Sequence, residues 1–328
     1  MKFESFAGNR KMIERLRRKL REGRFPHGLI FSGPEGVGKH TCALMIAKAL
    51  NCTNAAPGDF CEECSSCRKI QSGAHADLSS IGVEDEATQI KIAQVRLFLS
   101  TLELAPLEGR NKVFILDPAD LLSSEASNAL LKGLEEPPEN SFFILITVNV
   151  QELLLTVRSR CQIYNFTPLT LDEIGQHGVA DELTARWSRG SIGRARRLDM
   201  ARLKSERQIL LDFLETVMTA NEDQFQELIH ASAELGRAKQ DFESRMEVLS
   251  VLIGDIIYIK EGLSDRLANV DIQERLTKLA GRTPIDRLVR MSEFLRFIES
   301  SLKSNVNRQM LTDVLALTAN ETASKWLE

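Results

Sequence analysis

Short apolar runs alternate with longer segments of helical periodicity over the first half of the chain. The runs cover residues 29–32, 77–81, 113–117, 142–147 and 162–166. Each run has the length of a β-strand, and such runs separated by helical segments are typical of parallel βαβ units. The pattern therefore predicts a doubly wound α/β domain with a parallel sheet over residues 1–166.

The remainder of the chain is predicted to be helical. Residues 167–207 contain two short helical stretches separated by Gly190-Ser191-Ile192-Gly193, which predicts a small helical domain. Residues 208–328 are almost entirely helix-periodic and predict an all-α domain. Two apolar stripes there favour the core of a helix bundle over a cofactor site. Their members are Ile209, Leu210, Phe213, Leu214 and Val217, and Val248, Leu249, Leu252, Ile253 and Ile256.

A glycine-rich loop follows the first predicted strand and begins the next helix. It reads Gly33-Pro34-Glu35-Gly36-Val37-Gly38-Lys39-His40. In a phosphate-binding loop the backbone N–H groups surround the phosphates, the lysine contacts the β and γ oxygens, and a following Ser or Thr hydroxyl holds Mg²⁺. Gly33, Gly36, Gly38 and Lys39 are therefore candidate nucleotide-binding residues, together with Thr41 and Asp117. His40 stands where the hydroxyl is required, which argues against hydrolysis.

The end of the third predicted strand supplies the other half of the site. Asp117 is placed to support a metal ion, but Pro118 stands where ATPases of this type carry a Glu that polarises the attacking water. Hydrolysis would need Thr41 to take the metal and another acid, of which Asp120 is the nearest, to orient water. We therefore expect that ATP or ADP can be bound but not hydrolysed.

Four cysteines predict a metal site inside the α/β domain, over residues 52–67. Their spacing is Cys52-x8-Cys61-x2-Cys64-x2-Cys67. Two successive C-x2-C steps and a fourth thiol from the preceding helix can form a closed, structural Cys₄ zinc site. An iron–sulfur cluster is a weaker alternative because the ferredoxin cysteine before proline is missing, and a redox dithiol because the first C-x-x-C does not open a helix after a strand. Free thiols are also weaker, since four clustered thiols near Pro57 and Gly58 are expected to have no core to fill. His40 and His75 are candidate substitutes for a ligand.

Composition and charge narrow the function classes. The net charge of −4 argues against a surface that binds nucleic acid throughout, and the basic run over residues 10–24 is interpreted as the solvated face of a first helix. Neither a signal peptide nor an apolar stretch of membrane-spanning length is found, so we expect a cytoplasmic protein that contacts no membrane. Reduced thiols or metal-bound thiolates are then expected.

An arginine near the last predicted strand is a candidate for chemistry supplied to another subunit. Arg160 lies in Thr156-Val157-Arg158-Ser159-Arg160-Cys161, at the edge of the α/β domain. A planar guanidinium there could reach the phosphates of a neighbouring subunit, as arginine fingers do. The residues alone favour a simpler interpretation, an arginine paired with a surface carboxylate.

Several segments in this order resemble the bacterial clamp-loader family of AAA+ proteins. They are Phe25-Pro26-His27-Gly28, the phosphate loop, the four cysteines, Asp117-Pro118-Ala119-Asp120, Ala129-Leu130-Leu131-Lys132-Gly133-Leu134-Glu135-Glu136-Pro137-Pro138 and Ser159-Arg160-Cys161. The resemblance covers at least residues 1–200. In addition, Asn305-Val306-Asn307 is similar to the family's C-terminal collar.

The resemblance implies an AAA+ P-loop domain, a helical lid over residues 167–207 and an oligomerisation collar over residues 208–328. The degenerate loop resembles the delta-prime type of DNA polymerase III subunit rather than the ATP-hydrolysing gamma/tau type. By the resemblance, Cys52, Cys61, Cys64 and Cys67 form the family's zinc module. Gly190-Ser191-Ile192-Gly193-Arg194 occupies the sensor-2 region, with a glycine where the motor subunits carry an arginine.

The function implied by the resemblance is that of a stator without ATPase activity of its own. Such a subunit would join gamma/tau and delta subunits in a ring that loads the sliding clamp onto primer-template DNA. Arg160 would correspond to the arginine that reaches the ATP site of the adjacent motor subunit. The alternatives are an active AAA+ motor of gamma/tau type and a zinc-dependent nucleic-acid-binding module. The second is disfavoured by the acidic net charge and by the absence of aromatic residues between the cysteines of the C-x2-C steps.

Overall fold

The computed structural model of the chain describes residues 2–84, 87–179, 181–219, 225–237, 241–301 and 307–319. Contacts between Cα atoms divide the chain into two compact units. The first contains residues 1–180 and 188–196, and the second contains residues 181–187 and 197–328. The three-domain division at residues 166 and 207 stays a prediction.

A parallel five-stranded sheet forms the centre of the first unit. Its strands are β1 (Gly28–Ser32), β2 (Leu78–Ile81), β3 (Lys112–Leu116), β4 (Ser141–Thr147) and β5 (Gln162–Asn165). They lie in the order β2-β3-β4-β1-β5, and every pair is parallel. In the register, Ile30 of β1 lies opposite Leu145 of β4 and Ile163 of β5. The predicted fold class, a doubly wound α/β domain with a parallel sheet, is confirmed.

Helices lie between the strands and over most of the described chain after them, as predicted, although one helix begins at Ile192, inside the segment 190–193 that was predicted to separate two helical stretches. They are α1 (Arg10–Arg21), α2 (Lys39–Asn51), α3 (Ser65–Gln71), α4 (Ile92–Ser100), α5 (Ser124–Glu135), α6 (Leu155–Arg158), α7 (Leu171–Gln176), α8 (Glu182–Trp187), α9 (Ile192–Arg197), α10 (Met200–Thr219), α11 (Phe225–Arg237), α12 (Phe242–Lys260), α13 (Gln273–Arg282), α14 (Ile285–Ser301) and α15 (Arg308–Ala319). In the part of the chain that the structure describes, every helix is too short or too polar to span a lipid bilayer.

Both faces of the sheet are covered, which explains why its strands read as continuous apolar runs. Along β1, Leu29 and Phe31 join a buried cluster with α1, α2 and α3. Ile30, between them, joins a second cluster with α4, α5 and α6. Because successive side chains of a strand point to opposite faces, one run of five buried residues supplies both clusters.

Six strand boundaries differ from the sequence prediction by one residue each, and a polar side chain explains one of them. Asp77 was predicted as the first residue of a strand, but β2 begins at Leu78. The buried Asp77 carboxylate instead accepts hydrogen bonds from the backbone N–H groups of Leu107, Glu108 and Gly109. Asp117 likewise lies beyond β3, which ends at Leu116.

The second unit is a helix bundle built around α12, which packs against α10, α13 and α14, while α11 packs against α15. The two predicted apolar stripes lie in its core with one exception: Ile209 is 49% exposed. Of the collar-like segment singled out in the sequence, Asn305 and Val306 lie outside the described residues.

Candidate functional site

The glycine-rich loop connects β1 to α2 in a conformation that requires its glycines. Gly33, Gly36 and Gly38 have φ values of 145°, 73° and 99°, which L side chains rarely adopt. A Cβ atom at Gly33 would lie 2.3 Å from the carbonyl oxygen of Phe166, and one at Gly38 would lie 2.8 Å from the ring of Phe6. The loop therefore keeps the shape of a phosphate-binding loop at the amino end of a helix.

Lys39, the first residue of α2, points its ammonium group back into this loop. Its Nζ donates hydrogen bonds to the carbonyl oxygens of Gly33, at 2.5 Å, and of Pro34, at 2.7 Å. Burial lowers the pKa of Lys39, and the carboxylates of Asp117 and Asp120 partly oppose this shift. The two carbonyl oxygens thus accept hydrogen bonds from the buried ammonium group of Lys39, which in a phosphate-binding loop would contact phosphate oxygens.

His40 contacts the carboxylate that a metal ion would need. Its Nδ1 lies 2.9 Å from Oδ2 of Asp117, at hydrogen-bonding distance. The helix α2 thus presents an imidazole, rather than a hydroxyl, toward the end of β3. The sequence placed both residues in the site but did not predict this pair.

Thr41 and Asp120 are the substitutes that an active ATPase would require. Thr41 is exposed and lines the cavity beside the loop. Asp120 lies in a 3₁₀ turn over residues 119–121, and its Oδ1 is buried without a hydrogen-bond partner among the described residues.

A cavity of about 300 Å³ opens beside the loop. Its walls are both polar and apolar, and they include the phosphate loop, Phe6, Ile146, Leu169, Ile192 and Arg196. The cavity lies within the first unit. It is the place where the predicted nucleotide-binding residues Gly36, Gly38, Lys39, Thr41 and Asp117 come together. Gly33 does not line the cavity, but its carbonyl oxygen accepts a hydrogen bond from Lys39.

The glycine segment that begins at Gly190 packs directly against the phosphate loop. The backbone N–H of Gly193 donates to the carbonyl oxygen of Gly36 at 3.1 Å. A Cβ atom at Gly193 would lie 2.9 Å from the Cα of Gly36, and a Cβ atom at Gly36 would lie 2.3 Å from Oγ of Ser191. Two glycines thus allow a backbone-to-backbone contact that larger residues would prevent.

The four cysteines converge on one point. The Sγ atoms of Cys52, Cys61, Cys64 and Cys67 all lie within 4.8 Å of one another. A zinc ion with four Zn–S bonds of about 2.3 Å would hold its sulfurs about 3.8 Å apart, so the arrangement fits a tetrahedral ion. Neither histidine is placed as a ligand, since His75 bonds Ser66 and the backbone N–H of Asp77, and His40 bonds Asp117.

Backbone N–H groups are directed at the sulfurs. Cys61 donates to Sγ of Cys52 at 3.3 Å, Cys64 to Sγ of Cys61 at 3.2 Å, and Cys67 to Sγ of Cys64 at 3.4 Å. Burial opposes ionisation of Cys64, but hydrogen bonds from the backbone of Cys67 and Thr53 lower its pKa to about 6. Such donors stabilise thiolates, which is the form that binds a metal ion.

The cysteine module is part of the core rather than a loop beside it. Cys52, Cys64 and Cys67 are buried in the cluster that α1 and α2 form. Gly58 makes this contact close, because a Cβ atom there would lie 2.9 Å from the carbonyl oxygen of Arg17. Arg17 also pairs with Asp59 of the module at 2.7 Å, so part of the basic run docks the module instead of facing solvent.

Arg160 lies between α6 and β5, at the amino edge of the sheet, whereas the phosphate loop follows β1 at the carboxyl edge. Its Nη2 lies 2.5 Å from Oε1 of Glu135, and its Nη1 donates to the carbonyl oxygen of Thr156 at 2.8 Å. About a third of the side chain is exposed. The carboxylate pairing considered from the sequence is therefore present within the chain, and its partner was not predicted.

Comparison with known proteins assigns the chain to a family. Residues 8–170 match the family model described as DNA polymerase III, delta subunit, and residues 199–319 match the model of its C-terminal part. The delta' subunit of DNA polymerase III from Bacillus subtilis is 28% identical over 95% of this chain and 96% of its own length.

Tau subunits of DNA polymerase III are also similar, over a smaller share of their length. DNA polymerase III subunit tau of Escherichia coli is 34% identical over 71% of this chain, and the match covers 38% of tau. The tau subunit of B. subtilis is 38% identical over 53% of this chain and 30% of its own length. The chain thus spans less than half the length of these relatives.

Among solved structures, a gamma-subunit-related protein of Thermotoga maritima aligns with 94% of this chain at a TM-score of 0.44 and 16% identity. A clamp-loader delta protein of B. subtilis aligns with 93% of it at a TM-score of 0.35 and 12% identity.

The phosphate loop on a parallel sheet with this strand order, followed by helices, defines the class of AAA+ proteins with a P-loop domain. Within that class, the chain belongs to the DNA polymerase III clamp-loader family, of the delta-prime type.

The contact between Gly193 and Gly36 gives a testable prediction. We expect Gly193→Ala to lower the free energy of unfolding by about 1–3 kcal/mol, because the new methyl group meets backbone atoms that cannot rotate away. Thermal or denaturant unfolding of the purified protein measures the change.

Gly175→Ala in α7 is the matched control. Its Cβ atom would meet nothing within 4 Å, and alanine is the better helix former by about 1 kcal/mol, so the variant should be neutral or slightly more stable. Equal stability of Gly193→Ala and wild type would show that the segment does not hold the loop.

Proposed function

We propose that this chain is a stator subunit of a bacterial clamp loader: it does not hydrolyse ATP and helps load the sliding clamp onto primed DNA. Its partners are the gamma/tau and delta subunits of the same ring, and through the ring the sliding clamp and primer-template DNA. The full-length match to a delta' subunit supports the assignment of subunit type.

The contact between His40 and Asp117 is the observation that carries this proposal. In a working site Mg²⁺ links the loop hydroxyl, the strand-end Asp and the phosphates, and it neutralises the charge that develops during transfer. Here an imidazole at the hydroxyl position lies 2.9 Å from that carboxylate. Pro118, the next residue, has no side-chain group that could activate water.

The alternative function, an active ATPase motor, is supported by the sequence identity to tau subunits, which over about half of the chain is higher than the identity to the delta' subunit. Thr41 lines the cavity as that alternative needs. However, Asp120 follows Asp117 by three residues and sits in a separate turn, so a general base is not supplied at the expected position. The site of this chain therefore supports nucleotide binding at most.

We expect the isolated protein to show no magnesium-dependent ATP turnover above background. The physical reason is that neither the metal ligand nor the catalytic acid has the required chemistry. Phosphate release from purified protein at saturating Mg-ATP is the measurement, with Lys39→Ala as the background control. Turnover by wild type that Lys39→Ala abolishes would favour the motor function instead.

Arg160 is the residue that this stator would contribute to chemistry. A guanidinium is always charged and can bind phosphate oxygens in a bidentate manner, and it is partly exposed after α6. An arginine supplied to a neighbour's γ-phosphate is worth on the order of 10³–10⁵ in rate. The effect would fall on the neighbouring motor site, since the chain's own loop lies elsewhere in the unit.

In a reconstituted complex, we expect Arg160→Ala to lower steady-state ATP hydrolysis and clamp loading on primed DNA. Only the motor site that faces this subunit loses its arginine, so the loss should equal that site's share of the total. Assembly and metal content should not change, because the side chain is at the surface.

Arg158→Ala is the control for this experiment. Arg158 lies two residues away and donates to Gln151 at 2.5 Å, and we assign it no phosphate. Equal ATPase activity of Arg160→Ala and wild-type complexes, with assembly verified, would leave Arg160 as a structural arginine.

We also propose that the cysteine cluster binds one structural zinc ion. The four sulfurs would fill all positions of a tetrahedral ion, so a water ligand and hydrolytic chemistry at the metal are not expected. When bound, the metal would join α2, α3 and the segment between them, which are already packed around Cys52, Cys64 and Cys67.

Metal analysis of the purified protein should find one equivalent of zinc with four sulfur ligands by X-ray absorption. Cys61→Ser removes the most accessible ligand and should lower both zinc content and thermal stability, because a structural metal contributes directly to folding. Cys161→Ser, outside the cluster, should keep its zinc. Stoichiometric iron, or less than about half an equivalent of any metal, would contradict this site.

A cytoplasmic location stays a prediction, and reduced metal-binding thiols are compatible with it.

A further inference from the structure

An ion pair joins two segments that the sequence singled out separately. Glu135 is the last residue of α5, and Arg160 follows α6. Oε1 of Glu135 lies 2.5 Å from Nη2 of Arg160. Nη1 of Arg160 also donates to the carbonyl oxygen of Thr156, at 2.8 Å, and to Oγ of Ser159, at 3.3 Å. The guanidinium is therefore held by its own chain at three points.

The place of Glu135 on its helix is unfavourable without this partner. The carboxyl end of a helix carries a partial negative charge, so an acidic side chain in the last turn is repelled there. Lys132, one turn earlier, lies 3.5 Å from Glu103 rather than from Glu135. Arg160 is thus the cation that compensates the Glu135 carboxylate among the described contacts.

The pair is accessible enough to be exchanged. The side chains of Arg160 and Glu135 are 34% and 47% exposed, and exposed pairs of this kind are weak and screened by salt. A nucleotide phosphate carries more negative charge than a carboxylate and can accept two parallel N–H bonds from one guanidinium. A phosphate brought to Arg160 by a neighbouring subunit could therefore displace Glu135.

We propose that Glu135 is a positioning residue for Arg160: it holds the guanidinium against its own chain until phosphate oxygens of a neighbour's nucleotide replace the carboxylate. This inference rests on the proposed function of Arg160. Glu135 would contact neither nucleotide nor metal, and would act only through the arginine. The ion pair with Glu135 prevents the guanidinium of Arg160 from contacting the neighbour's nucleotide site before the subunits have closed on each other.

The test uses Glu135→Gln in the reconstituted complex, which keeps the shape of the side chain and removes its charge. We expect ATP hydrolysis without DNA and clamp to rise by up to about fivefold, the equilibrium factor of an exposed ion pair. The rate with primed DNA and clamp should change less, so the ratio of stimulated to unstimulated rate should fall. A purely structural role for Glu135 would not change this ratio.

Glu136→Gln is the matched control. Glu136 is the adjacent exposed carboxylate at the same helix end, and its removal should leave the ratio unchanged. The double variant Glu135→Gln/Arg160→Ala should behave as Arg160→Ala alone, because Glu135 acts only through the arginine. Gel filtration and zinc content verify that each variant is folded and assembled.

The outcomes separate this inference from the proposed function. If Arg160→Ala lowers ATPase activity but Glu135→Gln matches wild type, the inference about Glu135 is wrong, and the proposed role of Arg160 as an arginine finger stands. A lower unstimulated rate for Glu135→Gln would also overturn it, since the carboxylate would then hold the arginine in its productive pose. If Arg160→Ala has no effect, the proposed function fails and this inference fails with it.

Discussion

Burial of a parallel sheet on both faces is the constraint from which the site follows. Parallel strands need crossover helices, and these cover both faces, so polar groups can gather only where strands end. All carboxyl ends lie at one edge, which brings the loop after β1 and Asp117 after β3 together although β4 lies between the two strands. The cavity beside the loop is a consequence of this topology.

At that edge the chain has the backbone conformation of a nucleotide site without all of the side-chain chemistry that hydrolysis needs. The loop glycines still have the φ values and close contacts that only glycine permits. Lys39 remains buried in the loop, whereas His40 bonds the carboxylate that would support a metal. A loop of this kind can still organise β1, α2 and the Gly193 segment, because its backbone contacts do not depend on hydrolysis.

The sheet was predictable because each strand carries its own local signal. An uninterrupted apolar run of strand length, followed by helical periodicity, is readable without knowing what it contacts. The strand boundaries were less predictable. Asp77, for example, lies outside β2 because its carboxylate accepts hydrogen bonds from the backbone N–H groups of residues 107–109, which are distant in sequence. Ile209 was assigned to the core on spacing alone. Spacing does not tell which side of a helix a neighbouring helix covers.

The site residues were predictable as a set, but their mutual contacts were not. Motif spacing identified the four cysteines because their ligand geometry is local, whereas His40 and Asp117 are 77 residues apart and meet only through the strand order. The same holds for Arg160, whose neighbour Glu135 ends a different helix. A motif thus indicates which groups are present, and the fold decides which partners they contact. In this chain these contacts matter most, since His40 bonds Asp117 and Glu135 pairs with Arg160, and ATP chemistry would use both Asp117 and Arg160.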